Sequence, residues 1–381
     1  MDELVVSGAW NKTDFTVIET QLADYNMDTS ILLAELRSEL YRHKDPFIIV
    51  LSVLYVLTFM AGILGNLFVI LVVVRQRRMR TLTNVFFLNL TIGDVMVVSI
   101  CIPITLGNHI YKDWVYGEIL CKATPFLQGT AVGVSVLSML FISINRYFAI
   151  HIPLKAKILF SKGKVIVMLI SIWLASFVVV APLLFVNVTT KYGVPEIFEA
   201  RICEERWETI RDKQMYNIFI FGAQFVLPLL VMAAMYTRIS LTLWTEDENL
   251  HGSNTRQQWS RQLLRQRRKT VRNLIFLVIL FGCSWFPYYV VNIWLDFHMN
   301  SKDAIVVLNY IYPLVQIIGL SNSTMNPLCY CFLSKGFRRA FGNMCCTKKK
   351  RTKHGMIITV RFKYPRSGDD SGFDSIETVL S

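Results

Sequence analysis

The sequence predicts an all-α membrane protein, a seven-transmembrane helix bundle followed by a short amphipathic eighth helix. Three observations predict it. Of the 381 residues 53% are hydrophobic and only 18% charged, with a mean hydropathy of +0.43. Seven apolar stretches, at 46–74, 82–110, 119–144, 164–187, 215–240, 271–296 and 304–332, each reach the roughly 20 residues needed to cross ~30 Å of hydrocarbon. Basic residues then cluster in Arg75 to Arg80, Lys155 to Lys164, Arg261 to Arg272 and Lys348 to Lys353. With seven crossings all four clusters fall on one face, the cytoplasmic one, which puts the N-terminus outside. The segments are long and do not alternate, so they are helices rather than barrel strands. The net charge of +13 therefore belongs to a membrane face and not to a nucleic-acid surface.

Residues 1–45 carry nine acids against four bases, as suits an extracellular tail. Within it, Ile31 to Asp45 sets Leu32, Leu33, Leu36, Leu40 and Tyr41 on one face of an amphipathic helix, placed over the bundle mouth or along the membrane surface. The chain opens without a basic start and apolar run, so no cleaved signal peptide is expected and the first helix serves as anchor. The sequons at Asn11 and Asn187 fall in outside segments and are expected to carry glycans; those at Asn89 and Asn322 lie within helices and are not. Cys121, at the outer start of helix three, and Cys203, in the loop between helices four and five, both see the oxidising side, which predicts a disulfide. Cys101, Cys283, Cys329 and Cys331 read as small apolar packers.

The bundle occupies 46–332. Residues 333–346 read as the amphipathic eighth helix, with Cys345 and Cys346 beside a basic patch as palmitoylation sites. Residues 347–381 read as a cytoplasmic regulatory tail. From Lys335 to Arg366 there are eleven bases and no acids, a charge suited to anionic membrane lipids. Beyond Ser367, Asp369, Asp370, Asp374 and Glu377 alternate with Ser371, Ser375 and Thr378, the look of kinase sites in a disordered tail.

The polar residues inside the membrane are few. Asp94 is a carboxylate at membrane depth, costing several kcal/mol if left charged and unpaired. Ser135, Asn322 and Asn326 are the polar groups a bundle can bring against it. Pro228 and Pro287 bend helices five and six. Trp285 lies just before Pro287 at the expected cavity floor, and Phe281 one turn below. Asn326-Pro327-Leu328-Cys329-Tyr330 places an amide, a helix breaker and a phenol near the end of helix seven.

The order of Gly65-Asn66, Asp94, Asn145-Arg146-Tyr147, Trp173, Pro228 with Tyr236, Trp285-Phe286-Pro287 and Asn326-Pro327 to Tyr330 resembles the rhodopsin-like class of G-protein-coupled receptors, over about residues 46–345. The resemblance implies a multi-pass plasma-membrane receptor that activates a heterotrimeric G protein. It implies an allosteric sodium ion at Asp94, Ser135, Asn322 and Asn326 favouring the inactive state, a water-filled polar network being the alternative. It also implies an activation switch of Arg146, Pro228, Tyr236, Phe281, Trp285 and Tyr330. Ligand contact above Trp285 would bias the pivot of helix six, Tyr236 and Tyr330 would swing toward Arg146, and the opened cytoplasmic end would take the C-terminal helix of the G protein. A phosphorylated tail would dock arrestin after a receptor kinase has acted. One departure matters: where the family has an acid before the arginine, this chain has Asn145, which weakens the resting latch on Arg146 and predicts basal signalling.

Gln128 stands where amine receptors carry an aspartate, and a neutral amide cannot pair an ammonium; helix seven lacks the lysine that a retinal Schiff base needs. An opsin is thereby excluded, and a biogenic amine is not the expected ligand. Asp296 at the outer end of helix six, and Glu204 and Glu205 beside Cys203, put acids at a pocket mouth, which suits a ligand arginine. Thr124 to Gln128, Cys203 to Trp207 and Gln316 to Ser323 are similar to receptors for amidated Arg-Phe peptides, above all the pyroglutamylated RFamide type; neuropeptide FF, neuropeptide Y and orexin receptors share parts of the set. That likeness implies Asp296 pairing with the peptide's arginine, Gln128 and Gln316 bonding its terminal amide, and Thr105 and Trp285 beneath the last aromatic ring. Another peptide, or a lipid or small non-peptide ligand, stays open. A transporter would need repeated halves with broken helices, and neither is visible. Asp94 is the one acid well inside the membrane, His109, His151 and His298 fall at helix ends, and no Cys/His spacing suits zinc, so no enzymatic chemistry is expected.

Overall fold

The computed structural model describes residues 41–79, 81–194, 198–248, 255–333, 337–339 and 342. The sequon at Asn11, the tail beyond 346, Cys345 and Cys346, and all but the last residues of the N-terminal amphipathic helix lie outside them.

Seven helices are long and apolar enough to cross a membrane. They are α1 (Pro46–Arg75), α2 (Leu82–Met96 and Ile102–Ile110), α3 (Gly117–His151), α4 (Lys162–Val180), α5 (Ile210–Phe221 and Leu227–Glu248), α6 (Thr255–His298) and α7 (Lys302–Val306 and Tyr312–Leu333). The two parts of α2, α5 and α7 join through π turns at Val97–Cys101, Gly222–Val226 and Val307–Ile311. Residues 337–339 and 342 are helical, with Phe337 buried beside Tyr330, ring centroids 5.9 Å apart.

Local sequence explains the starts. Asp45 caps α1 by accepting from the Phe47 N–H at 2.9 Å, with Pro46 at the first helical position where no N–H is missed. Although burial opposes it, bonds from the Arg42 guanidinium and the Phe47 N–H hold the Asp45 carboxyl below its ordinary pKa. Thr209 and Asp212 close a reciprocal capping box on α5. Gly117 opens α3 with φ 77, a left-handed conformation that glycine adopts without steric cost.

Several boundaries differ from the sequence reading, among them the inner end of α3, which runs to His151 rather than 144. α5 and α6 run well into the cytoplasm, so the basic run Arg261–Arg272 lies on the extension of α6, where Arg268 donates to the Leu243 carbonyl at 2.6 Å. α4 ends at Val180 rather than 187, because Pro182 brings no N–H to the ladder. A single turn, Leu183–Val186, follows. The chain then forms an unforeseen hairpin of β1 (Asn187–Val194) and β2 (Phe198–Glu205), antiparallel, with Thr189 opposite Cys203.

The bundle is inside out relative to a water-soluble protein. Leu57, Leu64, Val178 and Leu230 point outward, 61–72% exposed, while Asn66, Asp94, Ser135 and Asn322 are buried. α3 is the axial helix: its apolar window is 67% buried against 22% for α1, α4 and α5, and it packs on α2, α4, α5 and α6. Small residues let α1 and α7 approach closely, since a Cβ added at Gly65 would lie 2.9 Å from that of Pro327. The expectation of apolar packers holds for Cys101 and Cys329, which are buried, whereas Cys283 faces outward from α6.

Candidate ligand-binding site

A cavity of about 1010 Å³ opens between the outer halves of the helices and the hairpin. Thr105, Gln128, Glu204, Glu205, Trp285, Asp296 and Gln316, all seven residues singled out for ligand contact, line it. The Cys121–Cys203 disulfide is present and ties β2 to the outer end of α3. The hairpin is held further where the Trp114 N–H donates to the Arg201 carbonyl at 2.7 Å and the Arg201 N–H donates to Asp113 Oδ1 at 2.7 Å.

The mouth is a network of charges. Asp296, 4% exposed, accepts from Asn217 Nδ2 at 2.6 Å and faces Lys213 Nζ at 3.5 Å. The same ammonium lies 3.9 Å from Glu205, whose other partner is the Trp207 indole N–H at 3.0 Å. Glu204 accepts from Thr190 Oγ1 at 2.7 Å and sits 3.5 Å from Arg206. Asp296 is thus already partnered by α5, which the sequence reading did not anticipate. Asn187, expected to carry a glycan, is buried at the cavity edge, with its amide nitrogen donating to the Leu183 carbonyl at 2.8 Å.

Deeper, Gln316 Oε1 meets His109 Nε2 at 3.1 Å. Trp285 forms the floor beneath Tyr288 and Tyr289, with ring centroids 5.5 and 6.5 Å away. Its indole rests on α7 because Gly319 has no side chain: an added Cβ would meet two indole carbons at 3.0 Å. The chain leading to α1 crosses the outer end, where Tyr41 pairs with Tyr111 through backbone and hydroxyl, and that bond raises the Tyr41 phenol above its ordinary pKa.

Sequence reading missed Lys213, Asn217, His109, Tyr288, Tyr312 and Gln224, all in the cavity wall. Helical spacing carried part of the signal. His109 is one turn beyond Thr105, Tyr288 one turn above Trp285, and Asn217 one turn beyond Lys213.

Below the floor, hydrogen bonds run through the bundle. Asn66 Nδ2 donates to the Ser323 carbonyl at 2.9 Å, Asn326 Nδ2 to Asp94 at 3.0 Å, and Asn89 joins Ser138 and Trp173 at 3.0 and 2.9 Å. Ser135 and Asn322 are buried too. Among the described residues no lysine or arginine nitrogen lies within 4.0 Å of Asp94, so its carboxylate has no fixed counter-ion. A carboxylate without such a partner is the kind of oxygen donor that a hard cation takes, although Asn326 turns its amide nitrogen, not its oxygen, toward it. At the cytoplasmic end Arg146 donates to Thr83 Oγ1 at 2.8 Å, with no carboxylate within 4.0 Å among the described residues, and its Nε has no partner. Ser143 donates to the Tyr236 hydroxyl at 2.8 Å, while the Tyr330 hydroxyl is buried without a partner. Phe281 is fully buried against Phe225, centroids 6.2 Å apart.

Comparison with known sequences matches this architecture. The family described as 7 transmembrane receptor (rhodopsin family) matches residues 65–330. A QRFP-like peptide receptor of Branchiostoma floridae is 33% identical over 324 residues, 82% of either chain. The pyroglutamylated RF-amide peptide receptor of Mus musculus is 30% identical over 300 residues, 76% of this chain and 68% of its own. Neuropeptide FF receptor 2 of Mus musculus is 29% identical over 332 residues, 85% and 79% respectively. The seven-helix bundle, the hairpin tethered over its outer cavity and the match across most of the spans lead to one conclusion: this chain belongs to the rhodopsin family of seven-transmembrane receptors, multi-pass in the plasma membrane with its N-terminus outside.

Proposed function

We propose that the chain is a G-protein-coupled receptor for a neuropeptide ending in an amidated Arg-Phe-type sequence. The observation that carries this reading is the graded chemistry of the cavity: carboxylates Asp296, Glu204 and Glu205 at the mouth, amides Gln128 and Gln316 in the wall, an indole at the floor. An arginine, a carboxamide and an aromatic ring in a row match those groups in order. The names of similar receptors, QRFP-like, RF-amide and neuropeptide FF, support it.

Ligand contact on Trp285 moves the indole against Gly319 and Tyr288 and biases the pivot of α6 at Pro287. Outward movement of its cytoplasmic end frees Tyr236 from Ser143 and Tyr330 from Phe87, toward Arg146. The opening then takes a helix of a heterotrimeric G protein. Asp94, Ser135, Asn322 and Asn326, all buried, are the residues that would hold a sodium ion, which would supply the missing positive charge there. Kinase and arrestin act on the acid-flanked serines, and Cys345 and Cys346 anchor the membrane-proximal tail.

The test is to express the receptor with calcium and cyclic AMP readouts and compare amidated Arg-Phe peptides with their free-acid forms. Potent activation by the amides alone supports the reading. Silence toward both, with the receptor shown at the cell surface, overturns it.

A further inference from the structure

We infer that Lys213 is a resident stand-in for the ligand's cation, a built-in competitor that sets how strongly the receptor selects a guanidinium. The inference rests on the proposed peptide reading and adds to it the step by which the charge site becomes free.

Lys213 lies in the first turn of α5, where the helix dipole disfavours a positive charge. Two carboxylates from other elements compensate it: Asp296 from α6 at 3.5 Å and Glu205 from β2 at 3.9 Å. Both contacts are longer than a charge-assisted hydrogen bond, which settles near 2.7–2.9 Å. The other groups at Asp296 are fixed more firmly. Asn217 holds Oδ2 at 2.6 Å, and Gln214 donates to the backbone carbonyl at 2.9 Å. The carboxylate is thus aimed and almost fully buried, while the cation that neutralises it is loosely seated and one-third exposed.

A buried carboxylate without a counter-ion is costly, so Lys213 keeps the empty receptor stable. A planar guanidinium offers two parallel donors where the ammonium offers a point charge. It therefore takes the carboxylate from Lys213 and releases the ammonium to solvent at the mouth. A neutral ligand cannot make that exchange. The lysine raises the threshold for every cationic ligand, and a guanidinium passes it best.

The experiment measures binding of an amidated Arg-Phe peptide and of its citrulline analogue, which has the same shape without the charge. The full-length receptor is compared with Lys213→Met and Lys213→Arg. Removal of the competitor is expected to tighten the arginine peptide about tenfold and leave the citrulline analogue unchanged, while Lys213→Arg weakens the arginine peptide by a similar factor. Opposite signs in the two variants distinguish competition from a folding defect, which would weaken both peptides in both. Melting of the ligand-free, detergent-solubilised receptors is followed in parallel. Lys213→Met should lower the melting temperature less in an Asp296→Asn background than alone, since the two residues share one interaction. Equal shifts of both peptides, or tighter binding in neither variant, overturn the inference. Failure of the unaltered receptor to bind either peptide sinks the proposed function and the exchange with it, and the melting coupling then still reports whether the ion pair exists.

Discussion

Among the described residues Arg146 has one hydrogen bond, to Thr83, and no carboxylate within 4.0 Å. An acid in place of Asn145 would add a charge-assisted contact worth about 1.5–3 kcal/mol to the resting state. Asn145→Asp is therefore expected to lower ligand-independent signalling roughly tenfold, read as basal cyclic AMP or calcium at matched surface expression. Basal signalling unchanged in the variant would remove Asn145 from the account. Gly319 makes a second point at this scale. Its missing side chain, rather than a hydrogen bond, seats Trp285, so Gly319→Ala must push the indole by a few tenths of an ångström. Altered agonist potency with an unchanged melting temperature is the expected result. At Asn187 the amide nitrogen that a glycan needs is already donating to Leu183 within a buried edge. Asn187→Gln should leave electrophoretic mobility unaltered while Asn11→Gln removes a glycan shift.

Among the elements, the hairpin matters most for the site and was the least legible. Its strands read as loop because Val188, Thr189 and Thr190 are too short a run to stand out beside seven apolar segments, and its stability comes from tertiary anchors: the disulfide, Trp114 and Asp113. Removing the disulfide with Cys203→Ser should cost about 2–5 kcal/mol and loosen Glu204 and Glu205 from the mouth, measured as a lower melting temperature and weaker peptide binding together. The number and order of the spanning helices were legible, because hydrocarbon thickness and backbone satisfaction leave no other solution, while several ends moved by five residues or more. The extension of α5 past 240 was not legible, since Thr245 to Glu248 carries no apolar signal, whereas the basic run Arg261–Arg272 continues α6, with Arg268 donating to the Leu243 carbonyl. The π turns were likewise invisible. They arise from a local change in hydrogen-bond register that no residue type announces.

At the scale of the whole molecule, acids stand in two places: at the outer mouth and, as Asp94, buried in the middle of the bundle. Residue types alone singled out these acids, because a carboxylate in or beside a membrane span stands out against its apolar neighbours. The partners were harder to see. Lys213 and Asn217 read as ordinary polar residues at a helix end until the fold brought α5 against α6. If sodium at Asp94 couples to the outer cavity, agonist affinity should fall when sodium replaces choline in the buffer, and Asp94→Asn should abolish that sensitivity. The central claim is that the outer cavity reads an arginine through Asp296. Equilibrium binding of a labelled amidated Arg-Phe peptide to the unaltered receptor and to Asp296→Ala, both at the cell surface, tests it most directly. Loss of a carboxylate that pairs a ligand guanidinium costs about 2–5 kcal/mol, so the account predicts weakening of roughly thirtyfold or more, and equal affinity in the two receptors would contradict it.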